Sequence, residues 1–160
     1  MNIFKFSLFT LIAFFTLSTK LLATESSSSW FAGSAVTIGE FTPDDGGTQS
    51  AYGVELHGGY QFGKYLKLIV GVNTFHVKNG NNVRRTLNSI STMFFEIRPQ
   101  WEFDNGFLVY FDVGASGGFK FGLGLGYNQG QHEVTVGLDS ESLVNRYHVG
   151  GVVIGYSYHF

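Results

Sequence analysis

Apolar and polar or small side chains alternate one by one along segments of about ten residues in most of this chain. Because successive side chains of a β-strand point to opposite faces of a sheet, this period of two predicts strands rather than helices. Eight strands are predicted, over residues 30–41, 51–62, 65–76, 87–103, 107–115, 119–127, 132–138 and 147–160. The facing of the first strand stays open, since both of its faces carry small residues.

The connections between the predicted strands differ in length in a regular way. Those after the first, third and seventh strands are longer and polar, over residues 42–50, 78–85 and 139–146. Those after the second, fourth and sixth strands are tight turns, at Gly63-Lys64, Asp104-Asn105-Gly106 and residues 128–131. Long loops at one end and short turns at the other are typical of transmembrane β-barrels. The short Ser116-Gly117-Gly118 connection after the fifth strand is an exception to this rule.

The two faces of the predicted strands have opposite chemistry. One face of nearly every strand is built of Phe, Leu, Val, Ile or Tyr. The other face carries four acids and three bases: Glu55, Lys67, Glu96, Arg98, Asp112, Lys120 and Glu133. A water-soluble barrel would place its charges outside, so we expect lipid on the apolar face and ion pairs or water within. Since no backbone group can stay unpaired in hydrocarbon, the pattern predicts an all-β fold, a closed antiparallel transmembrane β-barrel of about eight strands.

Aromatic side chains collect at both ends of the predicted strands. At the tight-turn end these are Trp30, Tyr60, Phe62, Tyr65, Trp101, Phe103, Phe107, Tyr127 and Phe160. At the long-loop end they are Phe41, Tyr52, Phe75 and Tyr147. We interpret them as two girdles at the membrane–water interfaces. The alternative, the aromatic core of a secreted β-sandwich, has to account for the charged face.

The first residues have the three-part pattern of a secretory signal peptide. Lys5 supplies a positive charge, an apolar run follows it, and the small residue Ala23 precedes a polar segment. The stretch between Lys5 and Lys20 is shorter than the roughly 20 residues that a membrane-spanning helix needs. We therefore expect a signal peptide over residues 1–23, cleaved near Ala23, and one barrel domain over residues 24–160.

Composition narrows the chemistry further. Of the 22 glycines, seven on the charged face leave room for long side chains in a narrow lumen: Gly53, Gly59, Gly71, Gly114, Gly122, Gly124 and Gly126. There is no cysteine, so no disulfide or thiolate metal site can form. The net charge of −2 gives no electrostatic footprint for nucleic acid. Five scattered histidines without metal-ligand spacing predict no metal site, and no cofactor is expected.

The C-terminal segment over residues 152–160 has aromatic side chains in the last, third-last and fifth-last places. It resembles the C-terminal signal that the barrel-assembly machinery reads in Gram-negative outer-membrane barrels, although Val153 stands where that signal prefers a polar residue. A terminal strand of this kind can pair by strand addition during assembly. Together with the sequence FGLGLGY over residues 121–127, the segment makes the chain similar to the small OmpA-like outer-membrane β-barrel superfamily.

This resemblance implies a monomeric, eight-stranded, single-domain barrel of the outer membrane, without the peptidoglycan-binding domain of longer relatives. The partners it implies are outer-membrane lipid, lipopolysaccharide and, through the strand ending at Phe160, the barrel-assembly machinery. Lys78, Arg84 and Arg85 in the second long loop are interpreted as solvated or, alternatively, as contacts to lipopolysaccharide phosphates. An interior just wide enough for side chains favours a structural, surface-interaction or adhesion role. A narrow channel through the charged interior stays open as an alternative.

An enzyme is the other alternative. Some eight-stranded barrels modify lipid A as deacylases or acyltransferases, and they need a serine that a histidine activates. The His-x-Ser-Asn signature of the deacylase family does not occur in this chain. Ser140, Ser142 and His148 lie in or near the last long loop, where only the fold could bring them together. We therefore predict a non-enzymatic protein and assign no catalytic, cofactor-binding or metal-binding residue.

Overall fold

The computed structural model describes residues 28–43, 47–77, 89–143 and 147–160. Eight strands lie in these ranges: β1 (Ser29–Pro43), β2 (Gln49–Phe62), β3 (Leu66–Val77), β4 (Ser89–Glu102), β5 (Phe107–Ala115), β6 (Phe119–Gln129), β7 (His132–Leu143) and β8 (Tyr147–His159). The signal peptide expected over residues 1–23 lies outside the described residues, as do Lys78, Arg84 and Arg85. Among the described residues, no helix is long and apolar enough to cross a membrane.

The eight strands close into a single barrel. Each strand pairs antiparallel with the next, and β8 pairs with β1. Paired residues followed around the wall from Phe31 lead back to β1 at Phe41, a displacement of ten positions from 31 to 41. With strands about 4.8 Å apart and about 3.3 Å of rise per residue, this displacement corresponds to a tilt of about 40° and a radius of about 8 Å. The predicted closed barrel is confirmed, and its interior has room for side chains rather than for a wide pore.

The outward-facing side chains form an apolar belt around the wall. Exposed members of its middle are Val36, Ile38, Val54, Leu56, Val70, Val72, Phe95, Ile97, Leu123, Leu125, Val136, Leu138, Val152 and Ile154. At the tight-turn end the belt finishes in aromatic pairs such as Trp30–Tyr60 and Phe107–Tyr127, whose ring centroids are 5.0 and 5.2 Å apart. Such rings mark the membrane–water interface of transmembrane barrels, so this exterior is suited to lipid.

Most predicted strand ends lie within two residues of the observed ones, and β5 agrees at both ends. The exception is β7, which was expected to end at Leu138 but continues to Leu143. The prediction of a polar loop from residue 139 is therefore wrong at its start. Asp139 and Glu141 have the composition of a loop, but they point into the barrel, where Lys120 and Ser116 contact them.

The long-loop end differs from the predicted aromatic girdle. Tyr52 faces outward as expected, but Phe41 and Phe75 point into the barrel and are only 3% and 4% exposed. Together with Ala51, Val77, Leu143 and Val149 they form an apolar cap. The cap is a cluster of buried side chains inside the rim at the long-loop end, which we call the upper end of the barrel. Phe75 lies eight positions after the inward-facing Lys67. Strand alternation, and not aromatic character, therefore decides its face.

Candidate functional site

All seven charged side chains predicted for the inner face point into the lumen, and two further acids join them. We call the nine side chains the lumen network: Glu55, Lys67, Glu96, Arg98, Asp112, Lys120, Glu133, Asp139 and Glu141. Six of them are carboxylates and three are cations, so the interior of the described chain is acidic. Ions buried in this way need partners, because desolvation costs several kcal/mol per unpaired ion, as an order of magnitude.

At the tight-turn end the lumen network is built on Lys67 and Glu133. The Nζ atom of Lys67 donates to both carboxylate oxygens of Glu133, each at 2.6 Å. The Nε2 atom of His159 lies 3.7 Å from the same carboxylate, and its Nδ1 atom lies 3.1 Å from the hydroxyl of Ser29. The Lys67 ammonium also lies 4.9 Å from the centre of the Phe31 ring. Because Lys67 is 0% and Glu133 1% exposed, this layer closes the lower end of the lumen.

In the middle of the barrel, one ammonium group forms ion pairs with three carboxylates. The Nζ atom of Lys120 lies 2.6 Å from Glu96, 3.1 Å from Glu55 and 3.2 Å from Asp139. These acids belong to β4, β2 and β7, so a side chain of β6 ties three other strands together across the lumen. The ammonium also lies 4.1 Å from the centre of the Phe94 ring, a cation–π contact.

Arg98 and Asp112 form an ion pair with two hydrogen bonds, which restrict its geometry. The guanidinium donates two bonds to the carboxylate, from Nε at 2.6 Å and from Nη2 at 2.8 Å. It also lies 4.1 Å from the centre of the Tyr110 ring. Two parallel bonds and a stacked ring fix the guanidinium in orientation as well as position. This pair joins the adjacent strands β4 and β5.

His57 links the lumen network to the last strand. Its Nδ1 atom lies 2.8 Å from Glu55 Oε1, and its Nε2 atom lies 3.1 Å from the hydroxyl of Ser157. An acid, an imidazole and a serine in this order have the connectivity of a catalytic triad. Ser157 is buried, however, and the fully buried Lys67 and Glu133 close the lumen below it. Because the described residues leave no open path for a substrate, we interpret these contacts as structural.

Towards the long-loop end, Glu141 accepts hydrogen bonds from neutral groups. Ser116 and Thr92 donate to its Oε1 atom, the latter at 3.3 Å, and Asn73 donates to Oε2 at 2.8 Å. Sequence reasoning missed Glu141 because the residue follows the predicted end of the strand. The signal that could have found it is the alternation of Glu133, Asp139 and Glu141 on odd positions of one strand.

The cavity in the middle of the lumen is small. A polar cavity lined by Glu55, Arg98, Tyr110, Asp112 and Lys120, among others, has room for one or two water molecules. The apolar cap lies above it and the Lys67–Glu133 layer below it. Both ends of the described lumen are therefore filled by buried side chains.

On the outer surface, polar side chains follow the apolar belt at the long-loop end. The hydroxyl of Ser142 lies 3.0 Å from the Nδ1 atom of the exposed His148, its partner across β7 and β8. Ser140 instead pairs with Gly150, one step deeper along the strand. Of the two candidate serines, the fold therefore brings Ser142 into contact with His148. No group of three His, Asp or Glu side chains in the described ranges could hold a metal ion.

Solved structures share this architecture. The crystal structure of Neisserial surface protein A matches with a TM-score of 0.65 at 10% identity, over 84% of this chain and 100% of that chain. This chain has the fold of the small eight-stranded outer-membrane β-barrels. In an outer-membrane barrel of this fold, the apolar belt faces lipid and the lumen network is shielded from it.

A second protein with this outer-membrane barrel fold is Ail, the attachment invasion locus protein of Yersinia pestis. Its complex with the heparin analogue sucrose octasulfate matches with a TM-score of 0.56 at 15% identity, over 82% of this chain and 99% of that chain. A further Ail structure matches at 0.55 and 16%, over 83% and 97%. No protein-family model and no curated protein matches this sequence. At these identities the likeness concerns the fold, and function has to be argued from the site.

Proposed function

We propose that this protein is a non-enzymatic, monomeric barrel of the Gram-negative outer membrane that acts through its surface connections. The observation that carries the proposal is the filled lumen: ion pairs occupy its lower and middle layers, and the apolar cap occupies the upper rim. A barrel filled in this way offers no route for solutes. What it presents to a partner is the long-loop rim and the connections that start from it.

Export and assembly belong to the same proposal. The signal peptide is removed near Ala23, and the barrel-assembly machinery recognises the strand ending at Phe160. In support, the backbone N–H of Phe160 donates to the carbonyl of Trp30 at 2.9 Å, so pairing with β1 extends to this residue. The test is the outer-membrane fraction on a denaturing gel. We expect an unboiled band that migrates faster than the boiled one, and protein in the soluble periplasm without this shift would contradict the proposal.

The partner we propose is an anionic glycolipid or glycan at the cell surface, with lipopolysaccharide as the first candidate. Polar groups that suit sugar and headgroup contacts follow the apolar belt upwards, as in the Thr74–Ser91 hydroxyl pair at 2.9 Å. The stacked rings of Tyr52 and His76 lie at the same end. The connection that starts after Val77 is basic in sequence. It contains Lys78, Arg84 and Arg85. For Ail, the ligand in the solved complex is a heparin analogue, which is also anionic.

A binding experiment with a matched control tests this partner. The refolded protein is mixed with phosphatidylcholine vesicles that contain lipopolysaccharide, and binding is compared with vesicles of phosphatidylcholine alone. We expect the Arg84→Gln/Arg85→Gln variant to lose most of the lipopolysaccharide-dependent binding. Lys64→Gln, at the exposed tight turn of the opposite end, should keep it. Equal binding by both variants would exclude this connection as the contact.

Conductance is tested separately, in planar bilayers. We expect no steady unitary openings from the wild-type protein, because Lys120 and its three carboxylates fill the middle of the lumen. Steady openings that vanish on Glu96→Gln would show that the lumen conducts, and the structural interpretation would be overturned.

A lipid A-modifying enzyme is a second candidate, and one observation favours it. Ser142 and His148 are within hydrogen-bond distance on the outer surface, where the headgroup of a lipid could reach them. The test is release of fatty acid from purified lipopolysaccharide. Release that is lost in Ser142→Ala and kept in Ser140→Ala would establish the enzyme, whereas no release would exclude it.

A further inference from the structure

The ion pairs of the lumen are unevenly distributed over the strands. Every residue of the lumen network lies on β2, β3, β4, β5, β6 or β7. Among the described residues, β1 and β8 contribute one group to an ion pair, the imidazole of His159 at 3.7 Å from Glu133. The strands that meet where the barrel closes are therefore the ones with almost no share in the ionic interior.

Two of the ion pairs span the lumen between distant strands. Lys120 on β6 holds Glu55 on β2 across the lumen, and it also contacts Asp139 on the adjacent strand β7. Lys67 on β3 holds Glu133 on β7. Within a sheet of six strands, β2 and β7 are opposite edges. These contacts hold the two edges close together, and among the described residues β1 and β8 add to them only the imidazole of His159, 3.7 Å from Glu133.

At three paired positions of their inner faces, both β1 and β8 carry small residues. Gly33, Ala35 and Gly39 of β1 lie beside Ser157, Gly155 and Gly151 of β8. A Cβ atom at position 33 would lie 2.5 Å from His57 Nε2 and 2.7 Å from Ser157 Oγ. The absence of this atom lets His57 reach from β2 across β1 to Ser157 on β8. Among the described residues, the side-chain contacts at the closing seam include two hydrogen bonds, His57–Ser157 and His159–Ser29. They also include two ring stacks between β1 and β8, Phe31 on His159 and Phe41 on Tyr147.

We propose that the lumen network curves the sheet into a barrel while the protein folds. The network bends the six-stranded sheet from β2 to β7 until the gap between β2 and β7 is as wide as two strands. Strands β1 and β8 then fill this gap and close the wall. The closing seam forms last, through backbone pairing and the hydrogen bonds of His57 and His159. Removal of the central cation should therefore delay closure more than it delays pairing within the six-stranded sheet.

Engineered disulfides can time the two events, because the chain contains no cysteine of its own. Val36 and Ile154 are partners across the seam, and Val70 and Phe95 are partners within the sheet. All four side chains face outward, away from the lumen network. Paired strand positions are about 4.5–5.5 Å apart between Cα atoms, a separation that a disulfide can bridge. Each pair is replaced by cysteines in a separate variant.

The variants are refolded from urea into phosphatidylcholine vesicles under oxidising conditions, quenched at intervals and run unreduced on gels. We expect the Val70→Cys/Phe95→Cys disulfide to appear before the Val36→Cys/Ile154→Cys disulfide. Adding Lys120→Met should slow the seam disulfide by at least about tenfold, because three carboxylates lose their cation. The sheet disulfide should slow by no more than about twofold, as should both disulfides in the control Lys64→Met.

If Lys120→Met does not fold, Asp139→Asn replaces it, since this change removes one edge contact and keeps the side chain's size. A seam disulfide that appears together with the sheet disulfide in the wild type would overturn the proposal. So would equal slowing of both disulfides by the lumen variant.

Discussion

Lys67 and Glu133 face each other across the barrel from β3 and β7, with the ammonium nitrogen 2.6 Å from both carboxylate oxygens. Neither side chain has appreciable contact with solvent. A pair of this kind can contribute little net stability compared with two apolar side chains, because both ions lose their hydration. Breaking it from one side is costly, since the remaining ion keeps its desolvation penalty and loses its partner.

The first prediction concerns this pair. Lys67→Met should lower the free energy of unfolding by about 3–5 kcal/mol, because Glu133 is left buried without its cation. The measurement is urea unfolding in detergent micelles, followed by the fraction of the fast-migrating unboiled band. Lys64→Met, on the exposed turn, is the control and should change the same free energy by less than about 0.5 kcal/mol. Equal stability of the two variants would mean that water, rather than Lys67, solvates the carboxylate.

The second prediction concerns the closing seam. Gly33→Ala should destabilise the barrel by about 1–3 kcal/mol, because the new methyl group would lie 2.3 Å from the carbonyl oxygen of Tyr156 and crowd His57. The measurement is the temperature at which the fast-migrating band disappears on a gel. Ala32→Val adds more volume on the neighbouring outward position and is the control. An unchanged temperature in Gly33→Ala would show that the seam can widen at no cost.

Much of this architecture could be predicted from the sequence, because the alternation of apolar and polar side chains along a strand shows which of its faces points outward. Where one face is Phe and Leu and the other Gly and Lys, as on β6, alternation fixes the facing without knowledge of the neighbours. Alternation does not show where a strand ends once its outward residues become polar. Ser140 and Ser142 face outward above the apolar belt, so β7 continues through a segment with the composition of a loop.

The partners within the site could not be predicted, because they depend on the register of strands that are far apart in the chain. Lys120 meets Glu55 only because the displacement of the closed sheet brings β2 and β6 to the same height. The pairing of His148 with Ser142 rather than Ser140 is likewise a matter of register. The aromatic character of Phe41 predicts a place in the girdle, because the sequence leaves the facing of β1 open; its side chain instead points into the apolar cap.

The third prediction concerns the lipid-facing wall. Leu123 faces outward from the middle of β6, so Leu123→Arg should cost about 2–4 kcal/mol, the range for a cation near the bilayer midplane. Ser142→Arg, near the long-loop end of the neighbouring strand, should cost about 0–1 kcal/mol. Both values come from urea unfolding in vesicles. A similar cost at both positions would contradict the placement of the belt across the membrane.

The last prediction separates the apolar cap from the apolar belt by one substitution made on both sides of the wall. Phe75 is buried in the cap, whereas Phe95 faces outward and is 45% exposed. Phe95→Ala should cost about 2 kcal/mol, the transfer free energy of the lost ring, because lipid chains can fill the space. Phe75→Ala leaves a cavity that neither lipid nor a neighbouring side chain can fill, so its cost should reach about 3–5 kcal/mol. Urea unfolding in vesicles measures both values. A smaller loss for Phe75→Ala than for Phe95→Ala would indicate that the cap is loosely packed and that the upper lumen is open to water.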